Sequence, residues 1–123
     1  MYTLDMREVV QDGCCSSPDL AAIRTDERDP LLDAFRALAD PTRLEIFRLI
    51  AAQPEPICVC HITAAFAVSQ PTISHHLRVL RDADLVTVAR RGVWAYYAAD
   101  PGGLERVREA LGGLMPRPLV AAR

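Results

Sequence analysis

The sequence predicts a mainly α domain with a small β-hairpin, arranged as a winged helix-turn-helix, and three observations carry that prediction. Apolar residues recur at helical spacing from Pro30 to Asp84. Within that stretch a short helix, a tight turn and a serine-started helix follow one another from Cys58. Only beyond Asp84 does the pattern become β-branched and aromatic, around a single glycine.

The elements follow in order. Residues 1–28 show no sustained period and hold Gly13, Ser16, Ser17 and Pro18, which predicts a mobile arm with at most a short helix near Asp5 to Val10. From Pro30 the apolar residues Leu31, Phe35 and Leu38, with Leu32 and Ala39, form a helical stripe that ends near Asp40. Asp40-Pro41 reads as an N-cap followed by proline at the first helical position. The helix it starts, Pro41 to about Ala52, is apolar on most of its circumference through Leu44, Ile46, Phe47, Leu49 and Ile50, so it is expected to be buried on more than one side.

Pro54 and Pro56 break the chain, and Cys58 to Ala67 reads as a short helix with Ile62, Ala65 and Phe66 inward. Val68-Ser69 is the turn. Ser69 is placed to cap the next helix, Pro71 is tolerated in its first turn, and Ile73, His76, Leu77 and Leu80 form its core stripe. Two strands, Leu85–Ala89 and Val93–Ala98, flank Arg90-Arg91-Gly92, which predicts a hairpin with two arginines at its tip. A last helix, Pro101 to about Leu114, places Leu104, Val107, Leu111 and Leu114 on one face, and Gly112 and Gly113 weaken its end. The domains read as an acidic arm (1–28), a winged DNA-binding and dimerisation domain (29–115) and a tail (116–123).

A chain of 123 residues supports one domain with a modest core, and a chain this short often completes its core by oligomerising. Half of it is hydrophobic but only 6% is aromatic, a composition that suits small helical proteins. No apolar run approaches the roughly 20 residues of a membrane span, and no basic and apolar leader opens the chain, so the expectation is a cytoplasmic protein with no membrane partner. The net charge of −2 hides an asymmetry. Eight acids against three arginines give residues 1–33 a balance of −5, which leaves the remainder at +3. A mildly basic body binds phosphate if its arginines share one face. All 14 basic residues are arginine.

On a helical wheel His75, Arg78 and Pro71 lie opposite the core stripe, Ser74 and Thr72 flank them, and Gln70 stands with Ser69 at the exposed N-terminal end. Such side chains can hydrogen-bond base edges or phosphates, and Arg90 and Arg91 can track phosphates from the hairpin. A solvated face is the bland alternative. The order of helix-turn-helix then basic hairpin specifies DNA contact more tightly than either part alone. His75 and His76 diverge by about 100° on a helix and cannot chelate one ion together. His76 reads as a core histidine with a partner, His75 as a DNA contact.

Four cysteines without a leader are better read as metal ligands, redox thiols or core residues than as a disulfide framework. Cys58 and Cys60 would stand about 200° apart on a regular helix, so both can ligate one ion only if Cys58 lies before the helix or in its frayed first turn. Cysteine near a helix N-terminus favours the thiolate that binds metal. Cys14-Cys15, a vicinal pair in the arm, can turn both sulfurs toward one large soft centre. Small core residues for the first pair, and a surface redox pair for the second, are the alternatives. The spacings are C-C and C-x-C, not those of a zinc finger.

Taken together, Leu38-Ala39-Asp40-Pro41-Thr42-Arg43-Leu44, Ile57-Cys58-Val59-Cys60, Ser69-Gln70-Pro71-Thr72-Ile73-Ser74-His75-His76-Leu77 and Arg91-Gly92-Val93-Trp94-Ala95-Tyr96-Tyr97 resemble the ArsR/SmtB family of bacterial metal-sensing repressors, over roughly residues 31–99. The resemblance implies a homodimer, paired through its first and last helices, that binds an inverted repeat in double-stranded operator DNA and dissociates when metal binds. It implies no enzyme activity and no structural cofactor. The Cys-Val-Cys element is similar to that of arsenite and antimonite sensors, and of cadmium and lead sensors. The third cysteine of the simplest arsenite pattern is replaced by Thr63, so the missing thiol is expected from Cys14 and Cys15. The zinc-type site needs Asp and His on the last helix, and residues 101–115 contain neither. The resulting expectation is trivalent arsenic, or antimony, held by Cys14, Cys15 and Cys58, with Cys60 as alternate or fourth ligand. A cadmium or lead sensor with four thiolates and a thiol redox-responsive repressor are the alternatives. A thiol redox or arsenate-handling enzyme is weaker, because no general acid, substrate-cradling loop or Cys-X-X-Cys accompanies the vicinal pair.

Overall fold

The computed structural model describes residues 22–116. Cys14, Cys15, the expected short helix near Asp5–Val10 and the tail beyond Pro116 lie outside the described residues. Residues 22–29 run as an exposed irregular segment into a chain of helices and strands. In order these are α1 (Pro30–Leu38), α2 (Pro41–Ala51), β1 (Ile57–Cys58), α3 (Val59–Ala65), α4 (Gln70–Asp82), β2 (Val86–Arg91), β3 (Trp94–Ala99) and α5 (Pro101–Gly113).

Three helices begin the same way. Asp29, Asp40 and Asp100 each precede a proline, and their carboxylates accept from Leu31 N at 2.9 Å, Arg43 N at 2.9 Å and Gly102 N at 3.0 Å. The carboxylate satisfies an otherwise orphaned donor and faces the positive end of the helix dipole, while proline has no N–H to orphan. Helix α4 departs from this. Ser69 stands at its N-cap, but the hydroxyl makes no capping bond and instead meets Thr72 Oγ1 at 2.9 Å. The expected side-chain cap is thus corrected: a hydroxyl three residues on competes for the same oxygen.

The core is one cluster built from Ala34 and Ala37 of α1, Ile46, Phe47 and Ile50 of α2, Ile62 of α3, Ile73, Leu77 and Leu80 of α4, then Leu85, Val86, Ala95 and Tyr97. In α1 the buried positions are the two alanines, whereas Leu32 and Phe35 remain exposed. Small residues let α1 lie close on its neighbours, and its large side chains project away. On α5 Leu104 and Val107 pack on the core while Leu111 and Leu114 are exposed. The apolar face of the last helix therefore packs on the core only over its first half. Helix α3 ends at Ala65 rather than Ala67, and Ala65 points outward because the chain turns extended at Phe66.

Helix α4 ends on Asp84, a non-glycine residue at φ 59°. Leu85 N donates to Leu80 O at 3.0 Å and Asp84 N to Arg81 O at 2.9 Å, the paired bonds that close a helix on a left-handed residue. The start of α5 lies on this turn. A Cβ on Gly103 would stand 1.7 Å from Asp84 O, so only glycine fits there.

The sheet is antiparallel in the order β1-β3-β2. The hairpin closes on Gly92-Val93 after the pair Arg91↔Trp94, with Gly92 at φ 61°, the positive value a two-residue turn needs at its first position. Arg90 and Arg91 therefore belong to β2, not to the turn, a correction to the expected hairpin tip. A turn of two residues lets the ladder run two residues further than the alternation of side chains suggests. The third strand, β1, is too short for periodicity to reveal; Ile57 pairs with Tyr97 and Cys58 with Tyr96.

Candidate nucleic-acid interface and thiol pair

Helices α3 and α4 and the β2–β3 hairpin form a continuous surface. At the N-cap and along α4, Ser69, Gln70, Thr72, His75 and Arg78 are exposed and Ser74 is half-buried, so none of these candidates is taken up by the core. A cleft of about 380 Å³ separates α4 from the hairpin. Gln70, Ser74, Arg78 and Arg81 line it from the helix, Arg90 and Val93 from the hairpin, and Val59 from the first turn of α3.

The two hairpin arginines part company. Successive strand residues face opposite sides, and Arg90 lines the cleft while the Arg91 guanidinium lies 5.7 Å from the centre of the Tyr96 ring. Arg81 was not a sequence candidate, yet it lines the cleft beside Arg78. Its signal was present: it falls three residues after Arg78 and seven after Ser74, on one helical stripe.

Behind α4 the interface is fixed by Arg43. Its Nε donates to Ala37 O at 2.8 Å, its Nη2 to Arg36 O at 3.3 Å, and its Nη1 meets His76 Nδ1 at 3.3 Å. Arginine can only donate, so Nδ1 accepts and the neutral ring carries its proton on Nε2. Burial, helped by the Arg43 and His75 charges and opposed by Asp40, holds the His76 pKa below its ordinary value. His76 is thus half-buried and hydrogen-bonded to Arg43.

Cys58 lies before α3, as its N-cap and as the second residue of β1, and is buried; Cys60 lies within the first turn and is exposed. The proline-broken entry makes this possible, because it brings the chain into α3 extended. The two sulfurs stand 2.8 Å apart, the Cys60 thiol donating to Cys58 Sγ. That bond, with the N–H groups of Cys60 and His61, pulls the Cys58 pKa down against the effect of burial. The same bond, together with burial and the neighbouring sulfur's charge, pushes Cys60 up. The pair therefore gives up its first proton more readily from Cys58 than from Cys60.

Two sulfurs bound to one ion at about 2.3 Å each can be at most about 4.6 Å apart, so the pair is within chelating reach. Among the described residues no group of three or more His, Cys, Asp or Glu could hold a metal ion. Thr63, where a third cysteine would stand, donates its hydroxyl to Val59 O at 2.8 Å. The described residues thus present two thiols, and no helix among them is long and apolar enough to cross a membrane.

The family model described as "Bacterial regulatory protein, arsR family" matches residues 40–88, from the α2 N-cap to the middle of β2. The arsenic resistance transcriptional regulator ArsR1 of Pseudomonas putida is 46% identical over 67 residues, which cover 54% of this chain and 52% of that protein. The match thus spans about half of that relative's length. A crystal structure of a possible transcriptional regulator for arsenical resistance is 35% identical, with a TM-score of 0.61, over 75% of this chain and 97% of that one. The homodimeric winged helix-turn-helix DNA-binding domain Mb0332 of Mycobacterium bovis, a solution structure, is 26% identical with a TM-score of 0.57, over 76% of this chain and 89% of that one. The family model runs through the helix-turn-helix that carries the candidate interface, and the chain belongs to the arsR family of bacterial transcriptional regulators, DNA-binding proteins and not enzymes.

Proposed function

We infer that this protein is a metalloid-responsive repressor: a homodimer that binds an inverted repeat in operator DNA through α4 and the wing, and that leaves it when trivalent arsenic, or antimony, is bound by cysteine thiolates. The observation that carries the reading is the Cys58–Cys60 thiol pair, seated at the start of the first helix of the helix-turn-helix. The expected ligands are Cys14, Cys15 and Cys58, with Cys60 as alternate or fourth. A soft trivalent centre supplies the demand for three sulfurs when bound. The chain's own part is to bring an acidic arm onto the start of α3, which shifts that helix against α4 and the wing. The exposed Leu32, Phe35, Leu111 and Leu114 on the first and last described helices support pairing through α1 and α5. By linkage DNA lowers metalloid affinity by the factor by which metalloid lowers DNA affinity, a coupling of about 1 to 3 kcal/mol.

The test is fluorescence anisotropy on a semi-palindromic duplex from the gene's own promoter, titrated under reducing conditions with arsenite, antimonite, cadmium and lead. Cys58→Ser is expected to retain operator binding and to lose arsenite-driven release. Normal release from that variant would refute the assignment. Release by cadmium or lead alone would indicate a four-sulfur site. The direct thiol–thiol contact favours one second reading, an oxidant-responsive repressor, which release by peroxide but not by arsenite would bring forward.

A further inference from the structure

We propose that the cleft between α4 and the wing seats a backbone phosphate of duplex DNA, with Arg81 as a phosphate contact beside Arg78 and Arg90. The inference rests on the DNA-binding reading above and adds to it a residue and a role. Three arginines from two separate elements line one concave space, and no Asp or Glu lines it. Like charges gathered in this way repel one another, and a shared anion relieves that repulsion.

The carboxylates among the described residues do not neutralise the group. Among the described residues neither Arg78 nor Arg90 has a carboxylate within 4.0 Å, and Arg81 reaches Asp82 at 3.7 Å, with both side chains about half exposed or more. An exposed pair of that kind contributes little. Ser74, one turn before Arg78 on the same wall, adds a neutral hydrogen-bonding group. Arginine forks match phosphate oxygens in pairs. The cleft also sits at the junction of the two elements that face the duplex, so a strand passing from the recognition helix to the wing brings its backbone there. Arg81, near the C-terminal end of α4, is eleven residues from Gln70 and thus about 16 Å along the axis, well removed from the base-reading N-terminal turn. Its contact therefore positions the protein and reads no sequence.

The experiment measures binding of the full chain to operator and to unrelated duplex over a series of chloride concentrations. Each lost phosphate contact reduces the slope of log K against log salt by about 0.9. Arg81→Gln is expected to flatten the slope by about one and to weaken both duplexes by the same factor. Arg81→Lys, which keeps the charge, is expected to keep the slope. Circular dichroism checks folding, and should Arg81→Gln not fold, Arg90→Gln in the same cleft carries the same expectation. An unchanged slope, or a loss confined to the operator, overturns the seat. Inorganic phosphate that competes with DNA at constant ionic strength in the wild type but not in Arg81→Gln would show a free-phosphate site and overturn the backbone assignment. If the wild type bound neither duplex, the repressor reading itself would fall, whereas binding with an unaltered Arg81→Gln slope would remove the seat alone.

Discussion

At the α1–α2 corner helix α4 meets a guanidinium whose three nitrogens each have an acceptor in the chain: Arg43 joins Ala37 O and Arg36 O at the end of α1 to His76 of α4. At the β1–α3 corner the polar groups are two thiols, and the partner of each is the other. The first joint has one good arrangement, since a shift of α4 takes His76 Nδ1 away from Arg43 and leaves a charged donor without its partner. The second can exchange its internal bond for an ion without leaving a stronger group unsatisfied. A helix pinned on one side and adjustable on the other suits a protein whose DNA-reading element must be both well placed and released on demand.

The sharpest way to break this contrast is Arg43→Ala. It removes three side-chain hydrogen bonds from a half-buried group, and charged donors of this kind are worth about 1.5 to 3 kcal/mol relative to an unsatisfied site. We expect a loss of about 2 kcal/mol in urea unfolding, with weaker DNA binding because α4 loses its fixed support. A loss below about 0.5 kcal/mol would mean that the corner is held by apolar packing alone.

How far these two corners were legible in the sequence differs, for physical reasons. The thiol corner was legible because its chemistry is local: Pro54 and Pro56 delay the helix, and that delay is what places Cys58 outside α3. The Arg43 corner was not, because its partners lie at Arg36, Ala37 and His76, up to 33 residues away, and two of them are backbone carbonyls that no pattern of side chains discloses. The same limit applied to the sheet. Strand β1 is two residues long, and its pairing with Tyr96 and Tyr97 is a tertiary fact. Helix starts were more legible, since Asp-Pro is a local signal and marks three of them. For the buried face of α1, by contrast, apolarity misled: close approach chose Ala34 and Ala37 over Leu32 and Phe35.

A smaller effect sharpens the other side of the contrast. Cys60→Ala removes the donor that holds the Cys58 pKa down, and Cys60 is exposed, so the fold has little to lose. The alkylation rate of Cys58, followed by peptide mass spectrometry to separate it from the other thiols, should show its half-point at higher pH in the variant than in the wild type. The urea midpoint should move less than it does for Arg43→Ala. An unmoved alkylation profile would show that the two thiols do not share a proton, and the adjustable corner would lose its physical basis.

The smallest effect concerns His76, whose pKa is lowered in the fold from an ordinary value of 6.5. A histidine with a depressed pKa is more easily protonated in the unfolded chain, so the unfolded state binds more protons below the ordinary value and stability falls as pH falls. Above about pH 7 both states hold the ring neutral and the group contributes no pH dependence. The loss accumulates below 6.5 and stops growing once the folded ring also protonates. Asp40, lowered from 3.8, acts in a separate window: its contribution is present above 3.8 and is lost only below it. Unfolding midpoints at pH 7.5 and 5.5 therefore isolate the histidine, with His76→Gln as control, because its amide oxygen can still accept from Arg43 but cannot charge. The wild type is expected to lose more stability than the variant between those two pH values. Equal losses would place the acid sensitivity elsewhere and leave the Arg43 corner indifferent to protons.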